Sequence, residues 1–155
     1  MKKITLVFLF NCQEQILLSM RKRNPGMGKW SWTGGKIEPW ETTSQGAVRE
    51  LFEEIWAKIE ESSLQLKGIL HFVWEGAEAK NQICSVFFVP YGGEVYETEE
   101  VLPKWFDISE IPYDEMWEDD IVWLPKLLEG VEYLEYRFVF SEEDKIKEVV
   151  NLLEK

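Results

Sequence analysis

Cysteine, histidine and basic side chains are scarce in this 155-residue chain. Its two cysteines, Cys12 and Cys84, form no Cys-x-x-Cys or Cys/His grouping. That argues against a zinc site or disulfide framework and leaves free thiols of a reducing, cytoplasmic compartment as the expectation. The one histidine, His71, falls in a strand-like run and reads as structural. Lys and Arg total 17 against 29 Asp and Glu, a net charge of −12. This argues against a nucleic-acid polymer as partner, because phosphate-backbone contacts need a basic surface. A small polyphosphate remains possible, since metal ions and a few local cations can hold it, and Arg21-Lys22-Arg23 is the densest basic patch. No apolar run approaches the ~20 residues that span a bilayer, so no membrane partner is expected. Met1-Lys2-Lys3 followed by Ile4-Thr5-Leu6-Val7-Phe8 lacks a small-residue cleavage site and reads as a strand, not a signal peptide. Repeats, linkers and low-complexity segments are missing too. Hydrophobic content of 45%, with 14% aromatic, rules out disorder. A single domain over 1–155, monomeric, is expected.

The pattern predicts strands at Ile4–Phe10 and Gln15–Met20, a loop from Arg21 to Lys29, and a short strand at Trp30–Thr33 delivering Gly34 and Gly35. Further strands are expected at Leu64–Trp74, Gln82–Pro90, Lys104–Ile108 and Tyr133–Phe140, with an acidic loop from Gly92 to Leu102. A helix is expected at Ile121–Leu128. The tail from Glu142 leaves two readings open beyond a strand near Ile146–Val150, namely helix or disorder. Strands alternating with two helices predict an α/β fold, a mixed β-sheet between helices in an α/β/α sandwich.

The densest chemistry lies on a helix predicted from Thr43 to about Ser62, with Thr43 or Ser44 as cap. Ala47, Leu51, Ile55 and Ile59 recur every four residues, and Val48, Phe52 and Trp56 widen the apolar stripe. At about 100° per residue, Glu50, Glu53 and Glu54 fall on the opposite side, with Arg49 beside them. Three carboxylates on one patch repel, and a hard divalent cation such as Mg²⁺ relieves that repulsion with oxygen ligands shared with substrate phosphates. From the helix alone, a solvated acidic face fits as well.

Gly35, five residues, Glu41, seven residues, then Arg49-Glu50-Leu51-x-Glu53-Glu54 resembles the signature of Nudix hydrolases. Pro103-Lys104-Trp105-Phe106, Ile111-Pro112-Tyr113, Met116-Trp117-x-Asp119-Asp120 and Trp123-x-Pro125 resemble the MutT-homologue branch that hydrolyses 8-oxo-dGTP. The resemblance implies the Nudix fold and hydrolysis of a nucleoside triphosphate to the monophosphate and pyrophosphate. It implies Mg²⁺, with Mn²⁺ able to substitute, held by Gly35, Glu50, Glu53, Glu54 and Glu100. Glu53 or Glu100 would be the general base, and Arg49 and Glu41 complete the catalytic set, Arg49 as a brace. Thr5, Arg21, Ser31, Trp117, Asp119 and Asp120 would bind substrate: Trp117 stacks on the purine and the aspartates meet its edge. Trp117 also fits ordinary core, and the aspartates also fit helix caps.

Three positions depart from the pattern. Trp56-Ala57 stands where the family has glycine and an aliphatic residue, so the helix is expected to run past the usual left-handed cap. Ser31 replaces an asparagine, and Pro25 replaces an aromatic that closes the pocket. Another nucleotide substrate, or a non-catalytic nucleotide-binding domain, is the rival reading; the intact carboxylates favour the enzyme.

Overall fold

The computed structural model describes residues 1–24 and 26–154. Its strands are β1 (Lys2–Phe10), β2 (Gln15–Arg21), β3 (Trp30–Ser31), β4 (Thr33–Lys36), β5 (Gln65–Trp74), β6 (Gln82–Pro90), β7 (Val101–Asp107), β8 (Leu134–Phe140) and β9 (Ile146–Asn151), with helices α1 (Thr43–Ile55) and α2 (Asp120–Leu128). They build one nine-stranded sheet in the order β3-β2-β1-β6-β5-β8-β9, with β4 on β1 and β7 on β2. The sheet is mixed, as expected: β1/β6 and β5/β8 are parallel, the other pairs antiparallel. The tail resolves as β9, its readings beyond Asn151 giving way to a short turn, and Lys155 lies outside the described residues.

Strand alternation buries both faces. On β1, Ile4, Leu6 and Phe8 pack with Trp123, Leu124 and Leu127 of α2. The residues between, Val7 and Leu9, pack with Ala47, Leu51 and Ile55 of α1. One edge of β1 carries β6 along its full length. The other carries β4 over Ile4–Val7 and meets β2 only at Phe10 against Ile16. The strand expected over Trp30–Thr33 therefore divides at Trp32: Ser31 pairs with Ser19 of β2, while Thr33 pairs with Val7 of β1. This divide sets Gly35 opposite Thr5, at the foot of α1.

Helix α1 corrects three expectations. Its cap is Thr42, whose hydroxyl accepts from the Gln45 amide while the Gln45 side chain accepts from the Thr42 amide. That reciprocal pair satisfies two donors at once and outcompetes Thr43 or Ser44. The helix also stops at Ile55. Trp56 takes the left-handed conformation at φ 57° and ψ 24°, despite the missing glycine. Its amide bonds the Phe52 carbonyl at 2.9 Å, and the freed Ile55 carbonyl accepts from Tyr96 at 3.0 Å. Burial of Ile55 and Ala57, and contact of the Trp56 ring with Tyr96 at 5.5 Å, offset the backbone cost. Finally, Phe52 and Trp56 are exposed and Glu54 is buried in their place.

Because the left-handed cost falls on Cβ, Trp56→Gly and Trp56→Ala remove the same ring contact and differ in backbone strain. Chemical denaturation should find Trp56→Gly more stable than Trp56→Ala by about 1 kcal/mol. Equal stability of the two would mean that the chain continues helically past Ile55.

Candidate active site

The Arg49 guanidinium organises the cluster. It donates to Glu41 through Nε at 3.0 Å and Nη2 at 2.6 Å, to Glu50 at 2.9 Å, to Glu53 at 3.1 Å, and to the Lys36 carbonyl at 3.0 Å. A planar fork reaches these acceptors together, as a lysine cannot. The Arg49 bond holds the Glu41 carboxyl below its usual range, and Glu41 in turn raises Arg49 further above its already high one. Glu41 also accepts from the Glu38 amide at 2.8 Å, so the loop between β4 and α1 is pinned to the helix.

Glu50 lies against Gly35. A Cβ there would come within 2.7 Å of the Glu50 carboxyl carbon, so glycine is what admits this carboxylate. Burial pushes the Glu50 carboxyl up, and Arg49 opposes the shift. Glu54 goes further: it is 4% exposed, and burial raises its carboxyl to about 8. Arg21 approaches it at only 3.9 Å, and Glu54 Oε2 is buried without a hydrogen-bond partner. Its place on the helix is the correction to the expected outward orientation. Residue 54 follows Ala47 and Leu51 by seven and three positions, which puts it on the buried stripe by geometry.

Glu100 is exposed at the end of the acidic loop, close enough for its charge to raise both Glu50 and Glu54. Thr98 positions it, accepting from the Glu100 amide at 3.3 Å and donating to the Glu54 carbonyl at 2.8 Å. The basic patch is drawn to the same side: Arg21 faces Glu54, Lys22 pairs with Glu97, and Arg23 meets Glu99 at 3.2 Å. Thr5 lies beneath this cluster. It is fully buried, and its hydroxyl spans the Gly35 amide and carbonyl at 3.3 Å each, so it shapes the loop from below.

Trp117, Asp119 and Asp120 form a second cluster at the start of α2. Asp119 accepts from the Trp123 indole N–H at 2.8 Å and Asp120 from the Trp117 amide at 3.1 Å. Both are buried, and Asp120 Oδ1 has no partner. Neither carboxylate caps α2 in the usual way, since Asp119 makes no side-chain cap bond and Asp120 bonds outside the helix. Burial raises both carboxyls, and the neighbouring charge adds to the rise at Asp120. Trp117 is half-buried, neither sealed core nor free surface. Ser31 is buried with an unpartnered hydroxyl; so are Ser19, directly across the ladder, and Thr33. Ser19 and Thr33 went unnoticed in the sequence, although a serine ending the apolar run Ile16-Leu17-Leu18 is the available signal. Pro25 lies outside the described residues.

Among the described residues, no three acidic, histidine or cysteine side chains already converge as a metal cage. Arg49 holds Glu50 and Glu53 instead. The set nevertheless fits a hard divalent cation: its donors are all oxygen, Glu54 Oε2 is unpartnered, and Glu50 sits against Gly35.

A carboxylate helix entered from a glycine-bearing strand, braced by one arginine and backed by a mixed sheet, defines the class: this chain belongs to the Nudix family, whose NUDIX domain model matches residues 2–127. It is 38% identical over 147 residues to the oxidized purine nucleoside triphosphate hydrolase of Danio rerio, covering 95% of this chain and 92% of that one. The Mus musculus protein of the same name is 34% identical over 142 residues, with 92% and 88% covered. Among solved structures, a mutator MutT protein from Bacillus halodurans superposes with a TM-score of 0.85 over 100% of both chains at 22% identity.

The raised Glu54 carboxyl gives a pH prediction. The folded state prefers the protonated form, so the contribution of Glu54 to cation-free stability is full at and below the unfolded value of 4.5 and is lost as pH rises toward about 8. Thermal melts in chelator should follow that slope. Glu54→Gln should flatten it and be more stable at pH 8 by on the order of 2 kcal/mol. An unchanged slope in the variant would mean that Glu54 ionises freely.

Proposed function

We propose that this protein is a nucleoside triphosphate pyrophosphohydrolase that removes oxidised purine nucleotides from the pool, converting 8-oxo-dGTP to 8-oxo-dGMP and pyrophosphate. One observation carries the reading: an unpartnered buried Glu54 oxygen lies beside Glu50 seated on Gly35, in a Nudix chain with an intact carboxylate set. The names of the two animal relatives support the substrate class.

Hydrolases of this family use a divalent cation, and Glu50, Glu54 and the Gly35 carbonyl, with Glu53 and Glu100 at the rim, would hold Mg²⁺ or Mn²⁺ here. Such a cation, when bound, neutralises charge developing on the phosphates and orients them. The chain supplies the rest. Arg49 fixes Glu50 and Glu53 relative to the loop through Glu41. Glu53 is exposed beside them and takes the proton from the attacking water as the α–β phosphoanhydride bond breaks. Glu100 is the alternative base. Arg21, 3.9 Å from Glu54, is the nearest cation to it and would meet the phosphates.

At the other end, Trp117 offers a purine stacking surface. Oxidation at C8 turns the N7 acceptor of guanine into an N–H donor, while O6 remains an acceptor. An ionised carboxylate accepts from the first, and a protonated one donates to the second. Two neighbouring buried carboxyls share one charge because burial and like-charge repulsion both oppose a second. The free thiols of Cys12 and Cys84 support a reducing, cytoplasmic location, and no described helix is long and apolar enough to cross a membrane.

The test is kcat/KM for 8-oxo-dGTP, dGTP and a panel of other nucleotides with Mg²⁺. Wild type should prefer the oxidised purine, and Asp119→Asn should lower that preference about 5- to 150-fold, the worth of an unpaired buried group. Glu53→Gln should lose roughly 10²–10⁴-fold in kcat with its fold intact. Preference for an unrelated nucleotide would overturn the substrate assignment. Full activity of Glu53→Gln with loss in Glu100→Gln would move the base to Glu100.

A further inference from the structure

Resting on the reading that Glu100 serves the cation or the attacking water, we propose that Lys22 is a positioning residue for Glu100, clasping the turn that carries this carboxylate. The segment between β6 and β7 is fastened on one side to the end of α1. There the Tyr96 amide bonds the Ile55 carbonyl at 3.0 Å, and the Thr98 hydroxyl donates to the Glu54 carbonyl at 2.8 Å. On the other side it is fastened to Lys22, the residue that follows β2. The Lys22 amide donates to the Glu100 carbonyl at 2.9 Å. Its ammonium donates to the Thr98 carbonyl at 2.8 Å and to the adjoining Glu97 carboxylate. Backbone and side chain of one residue therefore hold both ends of the Thr98–Glu100 turn.

The turn also closes on itself. The Thr98 amide bonds the Val101 carbonyl at 3.1 Å, and the Glu100 amide reaches the Thr98 hydroxyl oxygen at 3.3 Å. Thr98 thus ties the backbone of Glu100 to that of Glu54, and Lys22 grips the carbonyl side of the same turn. The ion pair with Glu97 contributes little alone, since the two side chains are 34% and 56% exposed. The bond to the Thr98 carbonyl is part-buried and charge-assisted, so it holds its direction better. Arg23 and Glu99, 3.2 Å apart and both exposed, make a weaker clasp alongside. Successive residues thereby address the two carboxylates: Arg21 approaches Glu54 directly, and Lys22 sets Glu100 through its turn. The ammonium is directed at protein oxygens on this turn, which suits a brace better than a phosphate contact. Its loss leaves the Lys22 amide bond in place but frees the Thr98 carbonyl, and the Glu100 side chain moves with the turn.

The experiment compares wild type with Lys22→Met, Lys22→Arg, Glu100→Gln and the Lys22→Met/Glu100→Gln double variant. Kinetics use Mg²⁺ and the best substrate of the nucleotide panel. Hydrogen exchange is read without metal or nucleotide at the Thr98 amide and at the amide of residue 22, which report the bonds to Val101 and Glu100. Lys22→Met should lower kcat roughly 10- to 100-fold with KM little changed, the loss that follows when a reacting group is misplaced by about 1 Å. Both amides should exchange about tenfold faster in that variant. Lys22→Arg keeps the charge and the donors, and should stay within about threefold of wild type. The double variant should be no slower than Glu100→Gln alone, because Lys22 acts through Glu100. Additive losses overturn the proposal, as does a rise in KM with kcat unchanged, which would make Lys22 a phosphate contact. Unchanged amide exchange in Lys22→Met overturns it too. If Glu100→Gln keeps full activity, the reading of Glu100 falls alone, and the exchange rates still decide whether Lys22 holds the turn.

Discussion

The arrangement around α1 depends on one guanidinium. Glu41, Glu50 and Glu53 all accept from Arg49, and Glu54 lies one turn on in the same helix. Several carboxylates so close repel strongly in a partly buried site, and a single arginine offsets only part of that repulsion. What it achieves is direction. By gripping Glu41 and the Lys36 carbonyl as well, Arg49 fixes the loop from Gly35 to Glu41 against the helix, and through Gly35 it fixes the seat of Glu50. The charge left over is what suits the patch to the cation proposed for it rather than to a self-satisfied ion-pair network. Loss of the brace would disturb loop, helix and seat together.

The two ends of the site use the same physics for different purposes. Near α1, burial raises Glu54 beside Glu50, giving oxygen donors that a cation can claim. At the start of α2, burial raises two adjacent aspartates, and the charge of the first adds to the rise at the second. The divided edge of β1 allows both. Because β2 leaves β1 after the hairpin and β4 takes its place, the segment from Trp30 to Gly35 crosses between the two half-sheets.

Much of this was legible in the residues because periodicity and spacing carry it. The strand pattern, the two helices, the mixed sheet and the nearness of Arg49 to Glu50 follow from alternation and the 3.6-residue turn, while Glu41 joined them through the resemblance. What misled was the assumption that hydrophobic residues mark the buried face. Phe52 and Trp56 are exposed, and Glu54 is inside, since the helix turns its carboxylate toward Gly34 and Arg21. The missing glycine at Trp56 suggested a longer helix, yet the Tyr96 amide and the packing of Ala57 outweigh a local backbone preference. Thr5 was marked only by the resemblance, and Ser19 only by its place at the end of an apolar run. Their roles rest on which strand lies opposite, and that pairing is a tertiary fact.

The central claim is that α1 and the Gly35 turn form a divalent-cation site on Glu50 and Glu54 while Arg49 stays on Glu41. Anomalous scattering from Mn²⁺ in crystals of the protein tests it most directly. The account predicts a peak within coordination distance of Glu50, Glu54 and the Gly35 carbonyl, with the Arg49–Glu41 bonds retained and the peak absent in Glu54→Gln. A peak located elsewhere, or one that persists undiminished in Glu54→Gln, would contradict it.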